Sequence, residues 1–233
     1  MIYIRGDTHG QFTSIAKFCK ERKTKKSDVL IILGDVGLNY YQSTRDLAAK
    51  EFCQQLPITL FCIHGNHEIR PQNLPNYTTE IFHGGEVLVE KDYPNILFAT
   101  DGSIYEFNKK RCMVIGGAYS VDKYYRLQNG LKWFADEQPD ETTKEYVRHV
   151  LDFNNKDIDV FLTHTCPYKY IPTEAFLQGV DQSTVDNSTE RWLDSIEEST
   201  QYKRWYCGHY HINKAVDKIV FLFTDTIPFS AFD

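Results

Sequence analysis

The chain has 233 residues, 42% hydrophobic and 25% charged, a balance that supports a sizeable core and argues against a disordered protein. Its formal charge of -6 gives a mildly acidic surface, which argues against a general electrostatic grip on long nucleic acid. No stretch approaches the ~18 uninterrupted apolar residues of a membrane span, and the opening "MIYIRGD" meets a charge at position 5, too early for a signal-peptide core.

In chain order, the run "IYIRGD" ends at Gly6-Asp7 and is followed by the helical pattern "FTSIAKFCKERK". The cationic "KERKTKK" is placed to close that helix, where cations suit the negative end of its dipole. "VLIILGD" ends in the same punctuation at Gly34-Asp35, "TRDLAAKEFCQQL" repeats the helical spacing, and "ITLFCIHGN" stops at Gly65-Asn66. Continuous β-branched runs of this kind read as strands buried on both faces; the helices between them imply βαβ units and a largely parallel sheet.

The middle of the chain changes character. "EVLVEKD", "ILFAT", "GSIYEF" and "RCMVIGG" are short strands separated by turn residues, which predicts a second sheet with antiparallel pairing. Residues 119–143 are polar, aromatic and irregular, a long connection of the type that carries function. Helical patterns return at "TKEYVRHVLDFN" and "STERWLDSIEES", on either side of a fourth apolar run, "VFLTH", that ends at His164. "CGHYH" then follows Trp205-Tyr206, and "AVDKIVFLFTD" closes the chain as a strand or hairpin. No repeat or linker divides the sequence, so one domain over 1–233 is expected. The six cysteines lack CxxC spacing and several sit in apolar runs, as expected of reduced core thiols in a cytoplasmic protein.

The strand ends collect Asp7-x-His9, Asp35, Asn66-His67-Glu68, His164 and His209-x-His211. In a parallel sheet ligands bind beyond the carboxyl ends of the strands, where all of these residues fall. Two carboxylates, an amide oxygen and four or five imidazoles exceed what one divalent ion takes and suit two ions about 3.5–4 Å apart. Oxygen and imidazole donors without thiolate favour Mn2+, with Fe or catalytic Zn2+ as alternatives.

The ordered segments GDTHG, GDVG, GNHE, LTH and GHYH, spanning residues 6–211, resemble the signature of the calcineurin-like metallophosphoesterase superfamily. The resemblance implies an α/β fold, a four-layer αββα sandwich of two mixed β-sheets flanked by helices, with a dinuclear metal site at the strand ends. It implies that Asp7, His9 and His211 hold one metal, that Asn66, His164 and His209 hold the other, and that Asp35 bridges them. It further implies a hydroxide between the metals attacking phosphorus, with His67 as the general acid. The expected substrate is a phosphorylated small molecule, a nucleotide or a phosphopeptide. A nuclease or cyclic-nucleotide phosphodiesterase is the alternative enzyme, and a metal-free interaction scaffold the alternative of another class. Against the pattern of the protein serine/threonine phosphatases, Leu38 and Asn39 stand where an aspartate and an arginine are expected, leaving Glu68 or a water to orient His67. Within "GGAYSVDKYYR", Arg126 is the candidate phosphate contact. His64, His83 and His149 match no motif and read as structural.

Overall fold

The computed structural model describes residues 1–229 except position 177. Ile2–Arg5 (β1), Phe12–Arg22 (α1), Val29–Ile32 (β2), Thr44–Gln55 (α2) and Thr59–Cys62 (β3) form the two βαβ units expected from the apolar runs. Helix α1 ends where the sequence turns cationic, with Lys20 and Arg22 in its last turn and Lys23 left-handed at its C-cap. Next come Tyr77–Phe82 (β4), Gly85–Glu90 (β5), Ile96–Ala99 (β6), Ile104–Phe107 (β7), Lys110–Ile115 (β8), Lys123–Gln128 (α3) and Glu141–Phe153 (α4). Val160–Thr163 (β9), Ser188–Ser199 (α5), Arg204–Cys207 (β10), Lys214–Val216 (β11), Ile219–Phe221 (β12) and Ile227–Pro228 (β13) complete the chain.

The strands form two mixed sheets, ordered β13-β1-β2-β3-β6-β5-β4 and β11-β12-β10-β9-β8-β7. The boundary between them differs from the sequence expectation. Strands β5 and β6 extend the first sheet, β6 pairing parallel to β3, while β9 and β10 run parallel beside β8 in the second. The reason lies in β6: all four of its residues are buried, as a strand covered on both faces must be, so it reads no differently from β3.

The central strands divide their side chains between two cores. In β2, Val29 and Ile31 face the space between the sheets, while Leu30 and Ile32 face α1 and α2. In β9 and β10, Leu162 and Tyr206 join that central core, while Phe161 and Trp205 pack toward α4 and α5. Three cores therefore separate four layers, helix, sheet, sheet, helix. Burying each of these aliphatic and aromatic side chains stabilises the fold by about 1.5–3 kcal/mol before ordering costs. All six cysteines are buried and unpaired. Among the described residues, no helix is long and apolar enough to cross a membrane.

Register brings the chemistry to one rim. Arg5 pairs with Ile32 and Ile32 with Cys62, so β1, β2 and β3 end level; Ile115, Thr163 and Cys207 do the same in the second sheet. The loops that follow are tied across that rim: Thr8 and His9 donate N–H to the Asp35 carbonyl, Gly117 to that of His64, and Gly208 to that of His164.

Candidate metal centre

Seven side chains from five strand ends converge at this rim. Asp7 and Asp35 are each 2% exposed, His164 is fully buried, and His9 and His211 lie at the edge. Asp7 Oδ1 accepts the His209 N–H at 3.0 Å, and Asp35 Oδ1 accepts the N–H groups of Asn66 and His67, both at 2.9 Å. Backbone donors thus fix both carboxylates. Two glycines make room for them: a Cβ on Gly65 would stand 2.1 Å from Asp35 Oδ1, and one on Gly208 2.3 Å from Asp7 Oδ1.

The backbone itself is held in an uncommon conformation here. His9, Asp35, His209 and His211 all have φ between 45° and 66°, the left-handed region that side chains with a Cβ rarely adopt. Each costs on the order of 1–3 kcal/mol and persists only where surrounding contacts enforce it.

The donor atoms face one another rather than partners. His9 Nε2 and His211 Nε2 are 2.8 Å apart, and Asp7 Oδ2 lies 3.2 Å from His211 Nε2 and 3.7 Å from His9 Nε2. That buried oxygen has no hydrogen bond of acceptable geometry. A second convergence surrounds His164. Its Nδ1 contacts the Leu33 carbonyl at 2.7 Å, which in the neutral ring places the proton there and a lone pair on Nε2. Asn66 donates through Nδ2 to Ser120 Oγ, turning Oδ1 toward His164 Nε2 at 2.8 Å, with Asp35 Oδ1 at 3.7 Å. Two lone pairs aimed at each other beside a carboxylate are what a shared cation requires. The ligand atoms of Asp7, His9 and His211, and those of Asp7, Asp35 and His164, each lie within 4.8 Å of one another and could hold an ion. The residues therefore fit a divalent-metal pair. His209 packs its ring edge-on against His164, with centroids 5.0 Å apart, and stands outside those two tight groups.

Electrostatics follow from burial and imidazole contacts. Burial raises the Asp35 carboxyl, but His67, His164 and His9 outweigh it and hold the group below the usual carboxylate range. Burial and the neighbouring His164 depress His209 to about 3, so its ring is neutral.

His67 stands beside the cluster, with Nε2 3.8 Å from Asp35 Oδ2. The sequence offered Glu68 as its orienting partner, and the structure corrects this. Fully buried Glu68 turns away and accepts N–H groups from Gly65, Val36 and Gly37, pinning two of the site loops to each other. Leu38 is buried in the core under α1 and α2, and Asn39 contacts the Tyr77 hydroxyl. Two groups stand against the His67 ring Nε2: Asn66 Nδ2 at 3.2 Å and Arg126 Nη2 at 3.3 Å. Asp122 accepts from Arg126 Nε through both oxygens at 2.8 Å and holds it there. Residues 119–143 thus border the site through α3.

Glu190, in the first turn of α5, is a residue that sequence reasoning passed over. It is 3% exposed, and its Oε1 accepts the Thr165 hydroxyl at 2.8 Å. Burial pushes its carboxyl up to about 7, against the Thr165 hydrogen bond; Asp186 adds to the rise and His164 opposes it. A raised folded value means the contribution present below the ordinary value near 4.5 is lost as pH climbs toward 7, on the order of 3 kcal/mol. Urea unfolding of chelated protein at pH 5 and 7.5 should therefore show wild type losing stability relative to Glu190→Gln. A constant difference between the two proteins would contradict the buried, raised carboxyl.

The sequence matches the family model for calcineurin-like phosphoesterases over residues 1–213. The chain belongs to the calcineurin-like phosphoesterase family. Solved structures similar to this calcineurin-like chain include TT1561 of Thermus thermophilus, at 13% identity and a TM-score of 0.49, covering 89% of this chain and 80% of that one. The sulfate thiohydrolase SoxB of Thermus thermophilus is 14% identical at a TM-score of 0.39, covering 94% and 38% of the two chains. A protein serine/threonine phosphatase from Saccharomyces cerevisiae is 15% identical at 0.35, covering 95% and 66%. No curated protein matches the chain.

Proposed function

We propose that this calcineurin-like chain is a dinuclear, divalent-metal-dependent hydrolase of phosphoesters. The observation that carries the reading is the pair of convergent donor groups around Asp7 and Asp35, fixed by backbone amides among residues in strained conformations, with Asp7 Oδ2 left without a hydrogen-bond partner. Asp7, His9 and His211 would hold one cation and Asn66, His164 and His209 the other, with Asp35 placed to serve both. When bound, two such cations lower the pKa of water at the site and neutralise charge on the phosphoryl oxygens. Mn2+ is the preferred ion, with Fe or Zn2+ as alternatives; oxygen and imidazole donors without thiolate suit all three and disfavour a structural zinc site. Buried, unpaired cysteines support a reducing, cytoplasmic setting.

The protein's own groups supply the rest. His67 gives a proton to the departing oxygen, and Arg126, presented by Asp122, grips phosphate oxygens beside it. Arg126 shares a cavity of about 380 Å³ with His9, Asp35, His67 and Tyr40, so its guanidinium and the metal ligands face the same space. Arg126→Ala should lower kcat/KM roughly 10- to 100-fold, the worth of a charge-assisted contact, while metal content stays unchanged. Unaltered kcat/KM on the best substrate would remove Arg126 from the site. The proposed activity is tested by chelating the protein, assaying nitrophenyl monoester and diester, and restoring Mn2+. Turnover should vanish and return with the metal; turnover that survives chelation would refute the metal-dependent reading.

A further inference from the structure

The metal-side cluster opens into a second, larger cavity of about 560 Å³, into which Asp35, Asn66, His67, His209 and His211 face. Its other walls come from Val121 and from the connection between β9 and α5. Ile171, Phe176, Val180 and Val185 give those walls an apolar part, Thr173, Gln182 and Asn187 a polar one, and the ring of Tyr210, with that of Tyr168 beneath Arg191, adds flat surface. Glu190 belongs to the same lining. Tyr210, Thr165 and Glu190 form a hydrogen-bonded chain, with Thr165 Oγ1 3.1 Å from the tyrosine hydroxyl and 2.8 Å from Glu190 Oε1. The chain leaves Glu190 Oε2 buried without a hydrogen-bond partner. A buried carboxyl oxygen left unpaired is costly, and because Glu190 belongs to the cavity lining, a ligand donor that reached Oε2 would relieve that cost.

We propose that this cavity receives the organic group of the phosphoester, and that the group is a flat heteroaromatic of nucleoside size whose N–H donates to Glu190. The inference rests on the phosphoesterase reading for placing the phosphate at the metal cluster. The chemistry of the walls discriminates among other occupants. An alkyl chain would satisfy the apolar side chains but leave Glu190 unpaired. A small quaternary ammonium would leave most of the volume empty. The volume falls within the roughly 300–1,000 Å³ common to small-molecule sites, and a heteroaromatic ring concentrates its polarity at one edge while stacking through its faces.

Nucleosides test this without any phosphate. Adenosine, guanosine, cytidine and uridine are titrated into the chelated full-length protein by calorimetry and by saturation-transfer NMR. At least one should bind, with the strongest saturation on its base protons. Glu190→Gln should weaken that binding tenfold or more, because the Thr165 hydroxyl holds the amide oxygen and so turns the amide N–H2 toward the ligand's own donor. Ala175→Trp, which fills the cavity from its wall, should abolish binding. Absence of nucleoside binding, binding of choline instead, or full affinity in the Ala175→Trp protein would each overturn the assignment. Nitrophenyl phosphate turnover with Mn2+, run in parallel, separates the failures. Turnover without nucleoside binding removes only the pocket assignment, and binding without turnover removes the phosphoesterase reading.

Discussion

Asp35→Asn should abolish two-metal binding and lower turnover on the order of 10³-fold or more, the several kcal/mol that a metal pair contributes to phosphoryl transfer. The substitution isolates charge from architecture. Asparagine adopts the left-handed conformation that Asp35 holds at φ 45° more readily than most residues, and its carbonyl oxygen can keep the two N–H groups of Asn66 and His67. The fold should therefore survive with little change in the chelated protein's Tm. What goes is the negative charge that the His67, His164 and His9 imidazoles surround. Metal analysis and Mn2+-dependent assay on one preparation check both parts; two ions per chain with near-normal turnover would show that Asp35 does not bridge.

His67→Ala should leave both metals in place and lose rate in proportion to the basicity of the leaving oxygen. An alkoxide needs a proton as its bond breaks, whereas nitrophenolate leaves without one, so alkyl phosphates should slow roughly 10²- to 10⁴-fold and the nitrophenyl ester far less. In the free protein, burial and the adjacent Arg126 hold the His67 imidazole below its ordinary value. A phosphate dianion arriving against Arg126 brings opposite charge and favours the protonated ring. Equal losses on both substrates, with intact metal content, would make His67 a positioning residue and assign the proton to another donor.

The sequence carried the rim of the site because each ligand there follows an apolar run and sits beside a small or turn residue. Asp7, Asp35 and Asn66 are examples, and their level register follows from parallel strands of equal length. Sheet membership was less legible. Nothing in "ILFAT" states whether its neighbour is β3 or β8, since pairing depends on contacts remote in sequence. Strand β4, "YTTEIF", escaped notice because its four central residues are exposed and carry no apolar alternation. Its pairing with β5 in the folded sheet, not its composition, makes it a strand. The groups that tune the site were also hidden. Ser120 orients Asn66 from an irregular segment, and Glu190 reads as an ordinary first-turn acid of an amphipathic helix until Thr165 and Tyr210 are brought against it. The left-handed conformations of His9, Asp35, His209 and His211 left only a weak trace in residue type: histidine and aspartate are enriched in that region but occur in every other kind of structure as well.

Anomalous diffraction from crystals grown with Mn2+ tests the dinuclear centre most directly. The account predicts two peaks about 3.5–4 Å apart. One should lie within ligand distance of Asp7, His9 and His211, the other within reach of Asn66, His164 and His209, and Asp35 should touch both. A single peak at full occupancy, or two peaks with Asp35 bound to neither, would contradict it.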